Sequence, residues 1–316
     1  MSLTSHLNDS SSPVRAFLAE RFGDAKAARK VLQLSGDPGV VSAAAELGGQ
    51  KAWTMPAPQV LPVPSQDRAF PYREVGTALD YRIRFMFQAV PVGTLVAHHG
   101  AQRLGELFDT DSPPKAFDAL SDKVTKALRN EPPLRGTVDF EEALATYCYA
   151  LALYEQCFRG LVDKSWPLAR LGKKASLDKV LATVPEEAKR DLVSLAELFS
   201  ATQGSMLRAK HFLPNPTFDH SLELGGADAD WIVDHCLVDM KTTIQPTIER
   251  IALWQLIGYA LSDASDWYGI ERVGLYFSRH GYLVSWGLEE LLSLLAGKAT
   301  KVGVVRKEWS KLMRQL

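Results

Sequence analysis

Two short β-compatible runs with only two residues between them constrain this chain more than anything else in it. Residues 227–233 read Ala-Asp-Ala-Asp-Trp-Ile-Val, residues 236–243 read Cys-Leu-Val-Asp-Met-Lys-Thr-Thr, and Asp234-His235 separates them. Apolar-biased runs of this length around a turn-forming pair predict an antiparallel hairpin. Pairing back from the turn sets Val233 against Cys236, Ile232 against Leu237, Trp231 against Val238, Asp230 against Asp239, and Asp228 against Lys241. Strand side chains alternate, so this register brings all four polar groups to one face.

That face has a chemistry. Two carboxylates directly opposite each other, with Cβ atoms roughly 5 Å apart, repel unless a cation lies between them. Mg²⁺ or Mn²⁺ suits the place, because hard oxygen ligands and open water positions match those ions. Lys241 returns to the same face two residues beyond Asp239, where an ammonium can steady an attacking water and the charge developing on a phosphate. Alternating acids and a lysine also occur on solvated hairpins. The context favours a site: residues 242–246 lead into a helix predicted over 248–262, which carries Gln255 and Tyr259 one turn apart on one face.

Three motifs, Gly225-Gly226-Ala227-Asp228, Val238-Asp239-Met240-Lys241-Thr242 and Gln255-Leu256-Ile257-Gly258-Tyr259, resemble in order those of the PD-(D/E)xK nucleases. The Gln-x-x-x-Tyr element is similar to that of the RecB-like branch, which includes CRISPR adaptation nucleases. The resemblance implies an α/β, restriction-endonuclease-like core with a mixed sheet flanked by helices, and a divalent metal held by the first Asp, Asp239 and the Met240 backbone carbonyl. It implies Lys241 as the catalytic lysine, and Gln255 and Tyr259 as groups that position the nucleic-acid strand. Its spacing favours Asp228 as the upstream ligand, whereas the hairpin register favours Asp230, and both remain candidates. A further family motif, Gly followed four residues later by His, is echoed at Gly76 to Asp80 with Asp in place of His, which puts a site role for Asp80 in doubt. The implied activity is hydrolysis of DNA, with single strands or ends favoured, in a repair, mobile-element or phage-defence setting and with any unwinding left to a helicase or other protein partner. The alternatives are a catalytically inactive nucleic-acid-binding or scaffold protein, and an enzyme acting on another phosphate ester.

The remaining sequence frames this core. Residues 1–12 read as a flexible leader and 13–204 as a mainly helical region, with amphipathic or apolar helices at 13–34, 74–89, 139–161, 177–184 and 186–202. The 74–89 helix is expected to pack on the nuclease core. Prolines at 56, 58, 62, 64 and 71 predict an extended linker between the first two helices. Asp139 is the expected N-cap of its helix, and Glu197 is a possible accessory acid. Strands are expected at 218–224, 271–278 and 282–286 inside a core of 205–297, followed by a basic tail at 298–316.

With 316 residues, 46% of them hydrophobic, the chain can bury a sizeable core, and it has no run of about 18 apolar residues. A soluble, cytoplasmic protein without membrane contact is expected. Three cysteines read as reduced thiols, too few for a four-cysteine iron–sulfur cluster. A net charge of −1 supplies no global attraction to DNA, so binding must be local.

Overall fold

The computed structural model describes residues 2–23, 46–47, 50–54, 71–87, 90–130, 136–160, 162–163, 165–244 and 247–316. The chain is α/β and divides into two compact units, one formed by residues 1–60 with 208–316 and the other by residues 61–207.

The second unit is helical. Its main helices are α3 (Tyr72–Phe87), α4 (Val96–Phe108), α5 (Ser112–Asn130), α6 (Val138–Arg159) and α9 (Glu186–Gln203), with the short α7 (Pro167–Leu171) and α8 (Leu177–Leu181) between them. The apolar face expected around residues 139–161 makes α6 the centre, packed against α3, α4, α5 and α9. Its N-cap is Thr137, whose hydroxyl accepts from the Phe140 N–H, while the expected cap Asp139 sits in the first turn. Helix α3 packs on α6 and α9.

The first unit holds the sheet. A five-stranded mixed sheet runs in the order β3 (Phe212–Pro214), β4 (Trp231–Val233), β5 (Cys236–Lys241), β7 (Arg272–Phe277), β8 (Tyr282–Gly287). Only the β5–β7 pair is parallel, and helix α10 (Arg250–Ser262) makes the crossover between them. A second, antiparallel sheet joins β1 (Glu46–Leu47), β2 (Gln50–Thr54) and β6 (Thr247–Glu249). The helix expected from 248 therefore begins at Arg250, because Thr247–Glu249 pairs with residues 52–54 instead.

Residues 2–12 are not a flexible leader. Ser2 caps α1 (Leu3–Asn8), and Leu3 and Leu7, one turn apart, are fully buried in the core together with Val14, Leu18 and Phe22 of α2 (Pro13–Phe22). The remainder of the predicted 13–34 helix and nearly all of the proline-rich linker lie outside the described residues. The basic tail expected at 298–316 holds a helix, α12 (Val302–Met313), which follows α11 (Leu288–Ala296) and buries Val305, Trp309 and Met313 in the same core. The strand expected at 218–224 is a series of turns ending at Gly225 and Gly226, whose φ values of 63° and 120° exclude continuous pairing. Among the described residues no helix is long and apolar enough to cross a membrane.

Candidate functional site

The β4–β5 hairpin forms with the register read from the sequence: Val233 pairs with Cys236, Ile232 with Leu237 and Trp231 with Val238. Asp234 and His235 take φ values of 42° and 64°, the left-handed pair that a two-residue hairpin turn requires. The turn is tied on both sides. Asp234 accepts from the His211 N–H at 3.0 Å, and His235 Nδ1 lies 3.0 Å from the Gly269 carbonyl.

The recorded pairing stops one step short of Asp230 and Asp239. Asn215 donates to the Asp230 carbonyl at 2.9 Å, and the Asp230 carboxylate takes the Met240 N–H at 2.5 Å, so side chain replaces main chain in the ladder. The Asp228 main chain bridges to Thr217. The expected extension of the hairpin to an Asp228–Lys241 pair is thus not part of the ladder, because the Asp230 carboxylate takes the Met240 N–H that the next main-chain pair would use.

Leu237 belongs to the core that includes α10, and period two carries that face to Asp239 and Lys241. Helix α10 supplies Gln255 and Tyr259 to the same place. Lys241 Nζ lies 2.6 Å from Asp239 Oδ2 and donates to Gln255 Oε1 at 3.1 Å. Gln255 Nε2 then donates to the Tyr259 hydroxyl at 2.9 Å and to Thr4 Oγ1 at 3.3 Å. Four residues singled out in the sequence therefore form one polar line, Asp239, Lys241, Gln255 and Tyr259.

The electrostatics follow the geometry. Burial opposes charge on Lys241, but Asp239 beside it, with Asp230 and Glu249, holds its pKa above the ordinary lysine value. Burial, reinforced by the negative charges of Asp239, Asp230 and Asp228, pushes the Tyr259 hydroxyl well above its usual range and keeps it protonated at neutral pH. Asp228, Asp230 and Asp239 thus all lie within electrostatic reach of one hydroxyl. Asp239 is buried, and its Oδ2 pairs with Lys241 Nζ at 2.6 Å. A carboxylate has about four lone-pair sites, so this pair leaves Asp239 further capacity to coordinate a cation.

Among the described residues no group of three or more His, Cys, Asp or Glu side chains stands ready to hold an ion. Mg²⁺ commonly binds through one or two carboxylates, with water and substrate phosphate completing its shell. A hard-oxygen set of that size fits here, given buried Asp239 and the Asp230 and Asp228 carboxylates whose charges act with it on Tyr259.

The structure adds two residues that the sequence did not single out. Glu249, just before α10, acts on Lys241 through its charge. Thr4 reaches Gln255, and α1 grips both motifs around it: the Leu3 N–H donates to the Gly226 carbonyl at 2.9 Å, and a Cβ on Gly258 would meet Leu3 at 2.9 Å. The signal for α1 was the i, i+4 pair Leu3 and Leu7, masked by a polar, serine-rich surrounding.

Two other candidates lie in the helical unit. Glu197 is exposed on α9, and Asp80 is buried in an ion pair with Arg84. Burial pushes the thiols of Cys148, Cys157 and Cys236 up to about 12, about 12 and about 11, so all three are uncharged at neutral pH. No protein-family model, no curated protein and no solved structure matches this chain.

Proposed function

We propose that this protein is a divalent-metal-dependent nuclease with a restriction-endonuclease-like core, hydrolysing phosphodiester bonds in DNA. The observation that carries the reading is the line from Asp239 through Lys241 and Gln255 to Tyr259, on a strand whose neighbour brings Asp230 into the same electrostatic field. A sheet needs none of these groups for its stability.

In this mechanism Asp230 and Asp239, with Asp228 and the Met240 carbonyl as further candidates, would hold Mg²⁺ or Mn²⁺. The ion, when bound, would supply Lewis acidity and lower the pKa of a water. Lys241 is held as a cation by Asp239 and offers its remaining N–H to the attacking oxygen, while its charge stabilises the phosphate. Gln255 fixes the direction of the ammonium by accepting one of its protons. Tyr259, protonated and accepting from Gln255, can donate its hydroxyl proton to a phosphate oxygen. The setting that goes with this chemistry is cytoplasmic repair, mobile-element processing or phage defence, with a helicase as partner.

The test is incubation of the purified protein with labelled single-stranded, duplex and circular DNA, with and without Mg²⁺ or Mn²⁺. Metal-dependent cleavage that disappears in Asp239→Asn, with folding retained, is the expected result. Undiminished cleavage in that variant refutes the assignment. The Asp230 carboxylate, which takes the Met240 N–H of the neighbouring strand, favours a second reading, a binding or scaffold protein without catalysis, and DNA binding without cleavage under every metal would select it.

A further inference from the structure

Leu222 and Trp267 are the most exposed large apolar side chains among the described residues, at 92% and 82%. Single exposed apolar groups are ordinary. What distinguishes these two is the framework beneath them. The Ser265 N–H donates to Asp219 at 2.7 Å and the Tyr268 hydroxyl donates to the Thr217 carbonyl at 2.6 Å, which ties loop 263–269 to turn 217–225. Buried Asp263 takes the N–H groups of Trp267 at 3.0 Å and Tyr268 at 3.3 Å. Arg306 of α12 reaches from below to Asp266 at 2.5 Å and Asp263 at 3.6 Å, and donates to the Ala260 carbonyl at 3.2 Å. Trp267 is therefore held outward on a fixed base. Edge contact of Tyr268 with Phe218 at 5.7 Å and stacking of Phe218 on Tyr259 at 5.8 Å connect that base to the candidate site.

Helix α12 borders both loops. Lys307, Lys311 and Arg314 recur at i, i+4 and i+7 and are all exposed, so they form one basic stripe. Ser310, on the edge of that stripe, lies 2.8 Å from His220 Nε2 in the turn that carries Leu222. Glu308 points away from it to Arg21 at 2.8 Å. Of the acids in the two loops, Asp219 accepts an N–H, Glu223 lies 3.4 Å from His220 Nδ1, and Asp263 and Asp266 pair with Arg306. Exposed cations thus lie on the helix whose Arg306 and Ser310 hold the two loops that carry Trp267 and Leu222.

A positive track with an exposed aromatic ring suits a strand whose bases are unpaired, because phosphates meet the cations and a base face meets the ring. In a duplex those base faces are covered. We infer that this surface binds single-stranded nucleic acid, with a base stacked on Trp267 and phosphates along Lys307, Lys311 and Arg314, and delivers the strand toward Asp239. The inference rests on the nuclease reading and names its substrate class.

The experiment uses the full chain and a fluorescein-labelled 20-nucleotide oligothymidylate in EDTA, with affinity measured by anisotropy over a salt series. Trp267→Ala is expected to weaken binding by about 5- to 100-fold, with Trp267→Phe retaining most of it. The double variant Lys307→Ala, Lys311→Ala is expected to reduce the slope of log affinity against log salt by about 1.4, at ~0.7 per phosphate contact. Melting temperature and circular dichroism should be unchanged in both, which shows that the fold is intact. Unaltered affinity in both variants overturns the inference, as does an equal loss on duplex DNA. If the wild type cleaves single strands while Trp267→Ala leaves affinity untouched, the inference fails and the nuclease reading stands. If oligothymidylate binds through Trp267 but nothing is cleaved with Mg²⁺ or Mn²⁺, the nuclease reading fails and the binding surface stands.

Discussion

Both units bury charge, and the helical unit and the candidate site of the sheet unit do so in opposite ways. In the helical unit anions and cations are matched: Arg82 is bidentate to Glu141 at 3.0 and 2.7 Å, Arg84 pairs with Asp80, and Arg159 donates to Glu155, which also accepts from Tyr81. In the sheet unit the leading charges acting on Lys241 and Tyr259 are all carboxylates, namely Asp239, Asp230, Glu249 and Asp228. Matched buried pairs hold helices in register. Carboxylates converging on one lysine and one tyrosine are what a site for a cation and a phosphate requires. Charge balance, more than burial, separates scaffold from candidate chemistry in this molecule.

The sharpest way to break this contrast is to neutralise one carboxylate in each unit. Glu141→Gln leaves the Arg82 guanidinium buried beside a neutral amide and should cost about 3–5 kcal/mol in a denaturant titration. Asp239→Asn removes one of several neighbouring acids as well as the partner of Lys241, so its stability should move by less than about 1 kcal/mol while cleavage is lost. Equal destabilisation by the two would mean that the sheet cluster is as structural as the helical one.

Lys241→Ala should act next most strongly. Losing a preorganised electrostatic group typically lowers kcat by about 10²–10³. Because other basic groups hold the backbone, affinity for DNA should change much less, and single-turnover kinetics beside anisotropy would separate the two. A parallel fall in both would make Lys241 a strand contact.

The same lysine predicts a pH dependence of stability. Its folded pKa is raised above the unfolded value, so the Asp239–Lys241 contact contributes fully below the unfolded lysine pKa of about 10.4, and the contribution is lost as pH rises through the folded value. The stability difference between wild type and Lys241→Met should be flat from pH 7 to 9 and shrink above that window. A difference that instead grows with alkalinity would mean the ion pair is not what holds Lys241.

What could be read in advance divides along physical lines. The hairpin was legible because period two and a two-residue turn leave one register. The polar line was legible because i, i+2 on a strand and i, i+4 on a helix are local geometry. The hydrogen bond from the Met240 N–H to the Asp230 side chain was not, since strand periodicity does not say where a side chain takes a main-chain partner. Glu249 comes close to Lys241 only through the folding of β6 against β2. Two segments were misread by composition: serines hid Leu3 and Leu7 in α1, and lysines hid the Val305, Trp309, Met313 stripe that makes α12 part of the core. In both, apolar spacing was the better guide than polarity.

Thr4 offers the smallest effect and the finest test of where the sheet unit's site ends. Its hydroxyl lies 3.3 Å from Gln255 Nε2, which also serves Tyr259, so Thr4 can act only by steadying the amide that directs Lys241. A neutral hydrogen bond at a half-buried group contributes about 0.5–1.5 kcal/mol, or roughly two- to tenfold in rate if all of it is felt in the transition state. Thr4→Val should therefore lower kcat by a few-fold with KM and the melting temperature nearly unchanged, and Thr4→Ser should restore the rate. A fall in melting temperature without a change in kcat would assign α1 to the core alone, and the site would then begin at Asp228.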